Sequence, residues 1–95
     1  MKFYTCITII ILNSFTLLSF AQDQEIDSLK TVIETLKDDS TKVNTLNDLS
    51  SLLFTTQPDL SIMYALEAME LGEQIRFYKG VALALKYMGL GYYTK

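Results

Sequence analysis

Four groups of residues in this 95-residue chain have types and spacings that bear on chemistry. Asp38-Asp39 with Asp48 would suit a hard cation. A calcium loop, however, alternates its oxygen ligands and turns on a Gly, and this spacing does neither. An acidic cluster at a helix start explains the aspartates better, because carboxylates there satisfy free backbone N–H groups. Glu67, Glu70 and Glu73 step by three along one helix, with Asp59 before them. Paired carboxylates do acid–base work only across a gap from one another or from a second titrating group, and no facing residue can be named here. They read as a solvated helix face. Gly89-x-Gly91 lies inside a helical pattern with no strand before it and no third Gly, so it is not a phosphate loop. Phe77, Tyr78, Tyr87, Tyr92 and Tyr93 offer rings for base stacking, but the acidic balance makes packing between helices the better use.

Composition narrows the field further. The chain has no His and one Cys, which removes an imidazole base, a phosphoacceptor histidine, the usual zinc ligand set and any internal disulfide. No catalytic, cofactor or metal residues are assigned. With 11 acidic residues against 8 basic ones, the chain offers neither a nucleic-acid surface nor a polybasic membrane patch.

The elements that must position any site begin after an address. Met1-Lys2 is followed by Phe3 to Phe20 without a charge, then by Ser19-Phe20-Ala21 and a polar start at Gln22. This is the pattern of a secretory signal cleaved after Ala21; the rival reading is an uncleaved membrane anchor, since the uncharged stretch reaches the lower limit for a spanning helix, but Thr5, Thr8, Asn13, Ser14, Thr16 and Ser19 dilute its apolarity. Cys6 would leave with it.

Beyond Asp23 the chain has one Pro and four Gly, and its apolar residues recur at steps of three and four, so the fold class is all-α. Ile26, Leu29, Ile33 and Leu36 form the stripe of a leading helix within residues 22–41. Asp38-Asp39-Ser40-Thr41 breaks it, and Val43, Leu46, Leu49 and Leu53 make a second stripe. Thr55 to Asp59 breaks again around Pro58, which suits the first turn of a helix expected from about Asp59 to about Phe77. Lys79-Gly80 reads as the next turn, and a last helix runs from Val81 to the end.

Sliding the chain by 39 residues sets Val43 on Ala82, Leu46 on Leu85, Leu49 on Met88, Ser50 on Gly89 and Leu53 on Tyr92. A period of that order covering two helices marks a helical solenoid. Leu85-x-x-Met88-Gly89-x-x-Tyr92 resembles the first helix of a tetratricopeptide hairpin, and Ser61-x-x-x-Ala65-x-x-Ala68 resembles the small-residue run of its second. The resemblance covers about residues 42–95, one repeat and the first helix of another. It departs from the family at Leu46, often Trp there, at Ser50 and at Met88, and its period is longer than the usual one.

The plan of signal segment, leading helix and long-period repeats resembles the exported front ends of tetratricopeptide sensor proteins of the Bacteroidetes type. It implies a non-catalytic, periplasmic interaction or sensing module, the N-terminal part of a signal-transduction protein. The alternative is the front end of a sensor histidine kinase or nucleotide cyclase whose catalytic module lies beyond Lys95. Family members bind extended peptides on the concave side of the array. Residues two and five away from the inward-facing Leu49, with their counterparts 39 later, carry that expectation here: Asn44, Asn47, Ser51, Lys86 and Tyr93, beside Phe54, Leu83 and Leu90. The expected partner is therefore a protein or peptide, with no nucleic acid and no cofactor. Membrane contact would come only through the signal segment or a downstream helix. Val81 to Tyr93 is apolar almost all round and expects a cover, either a further helix or self-association.

Overall fold

The computed structural model describes residues 22–95, so the signal segment, its cleavage point and Cys6 lie outside the described residues. Among the described residues four helices follow one another: α1 at residues 22–35, α2 Ser40–Leu53, α3 Pro58–Gln74 and α4 Tyr78–Thr94. The all-α expectation holds, and no strand occurs among the described residues. Among them no helix is long and apolar enough to cross a membrane.

Each boundary has a local cause. The α1 stripe ends as the chain bends at Leu36. Asp39 then starts α2: its carboxylate accepts from the backbone N–H groups of Thr41 at 3.0 Å and Lys42 at 3.3 Å. A cap of this kind contributes about 1 kcal/mol. Lys42 and Asp38, four apart and 2.9 Å from each other, form an exposed pair of little energetic weight. Pro58 takes the first position of α3, where its missing N–H leaves nothing unsatisfied.

The α3–α4 boundary differs from the one read off the sequence. Helix α3 stops at Gln74, before Phe77, and α4 starts at Tyr78, before Val81. The turn is made by Arg76, which adopts a left-handed conformation with φ 59°, and not by Lys79-Gly80. The Phe77 N–H reaches back to the Gly72 carbonyl at 2.8 Å and the Arg76 N–H to the Glu73 carbonyl at 3.2 Å. That pair of bonds is a Schellman ending, which satisfies two carbonyls the helix would otherwise leave free. Phe77 then packs on the core cluster that includes Leu71.

Gly80 is needed for proximity instead. A Cβ on it would stand 2.5 Å from Cγ1 of Val43 and 2.7 Å from Cδ1 of Phe77. This contact between α2 and the first turn of α4 has no local sequence signature.

Helix α3 packs against both α2 and α4, and α2 also touches α4. Val43, Leu46, Ala68, Leu71 and Ala84 form the core they share. Helix α1 adds a second cluster in which Ile26 meets Leu49 and Leu53, with Leu29 and Ile33 alongside. Leu46, Leu49 and Leu53 are fully buried, and each such leucine contributes about 1.5–3 kcal/mol relative to an exposed one.

Candidate functional site

The residues expected on the concave side come from α2 and α4, and the structure divides them. Asn44 and Lys86 are exposed, Ser51 is half-buried, and Tyr93 is 91% exposed. The Ser51 hydroxyl donates to the Asp48 carbonyl at 2.6 Å, a bond within its own helix. The Lys86 ammonium stands 5.5 Å from the centre of the Tyr87 ring, close enough for a weak cation–π attraction.

Asn47 is elsewhere. It is 2% exposed, and its Nδ2 donates to the Gly80 carbonyl at 3.0 Å. Its Oδ1 is buried with no protein partner. Asn47 thus ties α2 to α4 at the point where Gly80 lets the helices meet, and a peptide on the outer surface does not reach it. Asn44 and Ser51, three before and four after it, flank it on the same side of α2. Spacing alone could not tell the buried asparagine from the exposed one, since the difference lies in a neighbour 33 residues away.

Two further arrangements go beyond what residue types suggest. Ser50 and Ser61 are small at a close helix crossing, as expected, but they also bond reciprocally. The Ser50 hydroxyl donates to the Ser61 carbonyl at 2.8 Å, and the Ser61 hydroxyl donates to the Ser50 carbonyl at 2.7 Å. Each hydroxyl has one proton, so the 2.9 Å between the two oxygens is an enforced approach and not a third bond. Both residues are fully buried, and each donor is satisfied.

The second is an open depression of about 220 Å³ between α2 and α3, lined by Asp38, Lys42, Leu46, Glu67, Glu70 and Gln74 among others. Its one lysine is already paired with Asp38. Nearby, burial pushes the Tyr64 phenol above its ordinary range and the Glu67 carboxylate adds to the effect. At the far end of α3, Asp59 accepts a 2.7 Å bond from Lys95, which raises the Lys95 ammonium; its attraction to the carboxylate acts in the same direction.

Helix α4 presents the largest contrast with α2. In the 39-residue register, Val43, Leu46, Leu49, Ser50 and Leu53 of α2 are all buried. Their α4 counterparts are open: Leu85 is 53% exposed, Tyr92 62%, Ala82 and Gly89 are exposed, and Met88 is half-buried. A Cβ placed on Gly89 would have nothing within 4 Å. The side of α4 that is buried carries Gly80, Ala84 and Gly91.

Compared with protein-family models, curated proteins and solved structures, the chain matches none.

Proposed function

We propose that this chain is a non-catalytic, exported interaction or sensing module of tetratricopeptide type, belonging to the front of a signal-transduction protein. The observation that supports this reading is the 39-residue register. A hairpin of α2 and α3 is closed by small residues at Ser50 and Ser61, and α4, which packs against both of them, repeats the α2 pattern in sequence. In an array of this kind each unit supplies a surface and the chemistry belongs to whatever is recruited.

On this reading Asn44, Ser51, Lys86 and Tyr93 form the ligand-facing set, while Asn47 positions α4 from below it. Asn44 offers an amide to a peptide backbone, Lys86 a cation to a carboxylate, and Tyr93 an exposed ring to an apolar side chain.

Selection from a library of displayed extended peptides tests the assignment. Binders are expected to lose affinity with Asn44→Ala and Tyr93→Ala and to tolerate Glu73→Gln on the far side of α3. Binders indifferent to the first two changes would sink it. Export is tested by the mass of the mature chain, expected to begin at Gln22; a mass retaining residues 1–21 would refute cleavage. The reading frame at the Lys95 codon separates the two parents: continuation into a kinase or cyclase module supports a sensor enzyme, whereas a stop codon supports a stand-alone adaptor.

A further inference from the structure

Helix α4 begins without a side-chain cap. Among the described residues the backbone N–H groups of Tyr78, Lys79 and Gly80 have no acceptor, whereas the next one, on Val81, bonds to the Phe77 carbonyl at 3.2 Å. Every helix start leaves such donors, and solvent serves the exposed ones. Tyr78 and Lys79 are exposed, so water reaches them freely. Gly80 is buried, and its N–H needs a partner inside the fold.

The side chain held against Gly80 has the complementary need. Asn47 is 2% exposed, donates from Nδ2 to the Gly80 carbonyl at 3.0 Å, and keeps a buried Oδ1 that no described residue serves. The amide is not reversed, because turning it over would set Oδ1 against the Gly80 carbonyl, acceptor on acceptor. The nearest hydroxyl on α2 is already committed, since the Ser50 proton goes to the Ser61 carbonyl at 2.8 Å. A donor and an acceptor thus stand on two residues that one hydrogen bond already joins, and they do not bond to each other.

Whatever completes this pair must both accept and donate. An anion would satisfy the Gly80 N–H and be repelled by Oδ1. An ammonium group would satisfy Oδ1 and be repelled by the N–H. Water does both, and it is small enough for a contact in which Val43 and Phe77 already fill the Cβ side of Gly80. Two buried groups are then served by one immobilised molecule.

We propose that a single internal water sits between α2 and the first turn of α4, accepting from the Gly80 N–H and donating to Asn47 Oδ1. Asn47 thereby caps α4 from a neighbouring helix, holding the Gly80 carbonyl directly through Nδ2 and the Gly80 N–H through the water. This gives the buried asparagine a reason, because an apolar side chain of similar size would leave the N–H unserved. The proposal uses only the contact between α2 and α4 and does not rest on the proposed function.

Two measurements on the full chain test it. A crystal structure should show an ordered water about 2.7–3.2 Å from both Asn47 Oδ1 and the Gly80 nitrogen. In solution, the Gly80 amide proton should give a nuclear Overhauser cross-peak to water with the sign of a long-lived bound molecule. Asn47→Leu removes Oδ1 and keeps a side chain of similar volume, so this cross-peak should vanish. The oxygen-17 relaxation dispersion of the solvent should fall by the amplitude of one long-lived molecule in the same variant. Circular dichroism checks that the variant is folded; if it is not, the wild-type cross-peak and the crystallographic water decide alone.

A Gly80 amide without a bound-water signal overturns the proposal, as does an Oδ1 that accepts from a protein donor anywhere in the chain. An ion in place of the water refutes the argument that the ligand must both accept and donate. A bound-water signal that survives in folded Asn47→Leu also overturns the proposal, since that water would be held without Oδ1.

Discussion

Three glycines on one helix give the most discriminating test of the packing, because a single substitution should act with opposite sign at two of them. In a helix interior the intrinsic propensity of Ala exceeds that of Gly by about 0.8–1 kcal/mol, before any tertiary contact is counted. At Gly89 the added methyl meets nothing within 4 Å, so Gly89→Ala should show that gain almost undiminished. For a domain of this size it corresponds to a rise of about 4–8 °C in Tm. At Gly80 the methyl would lie 2.5 Å from Val43 Cγ1, on a fully buried β-branched residue with little rotamer freedom. Relieving the clash means moving α4 off α2 by roughly 1 Å, an overpacking cost of about 1–3 kcal/mol. The same movement stretches the 3.0 Å bond from Asn47 to the Gly80 carbonyl, worth about 1 kcal/mol more. After the propensity gain is subtracted, Gly80→Ala should destabilise by about 1–3 kcal/mol. Gly91, whose methyl would meet Ile62 Cγ1 at 2.7 Å, should fall between the two. Urea unfolding of the full chain followed by far-ultraviolet circular dichroism measures all three. Equal shifts of the same sign at positions 80 and 89 would refute the docking of α4 on α2 through Gly80.

Other expectations follow from single contacts. Arg76 holds φ 59° where glycine has no steric penalty, so Arg76→Gly should stabilise by about 1 kcal/mol, read as a higher urea midpoint at unchanged slope. Ser50→Ala and Ser61→Ala should each cost about 1 kcal/mol for one lost bond, and a double-mutant cycle should show coupling because the two bonds close one ring across the hairpin. Strictly additive values would break that link. With no His in the chain, thermal stability should be level between about pH 6 and 9. Tyr64 and Lys95 both have raised values, so each favours the folded state below its unfolded pKa. That preference is lost as pH climbs above about 10, so on the alkaline side Tm should begin to fall there. A steep slope near neutrality would contradict this. The Lys95 share should be small, since its bridge is solvent-exposed.

Much of this architecture is legible along the chain. Asp39, Pro58 and the stripes through Ile26 and Leu49 act within a turn or two of helix, where caps and periodicity depend on near neighbours alone, and each appears where its residues place it. The small residues at Ser50, Ser61, Ala65 and Ala68 announce close packing for the same reason, since few other side chains permit it. Gly80 misleads at this level. A glycine after a lysine between two apolar runs is an ordinary turn signal, and nothing nearby in sequence reveals that the position is instead held open for Val43. Once Gly80 is drawn into α4, the helix starts earlier and the turn falls to Arg76, which accepts the left-handed conformation because the bonds to Gly72 and Glu73 hold it there. The same long-range contact takes Asn47 from the surface and leaves Asn44 on it. By itself, then, the sequence determined four helical stripes, the first two of their three breaks and the 39-residue register, all of which are sums of local preferences. Tertiary structure decided which glycine is a contact, which asparagine is buried and which face of α4 stays open, because those depend on side chains brought together from far along the chain.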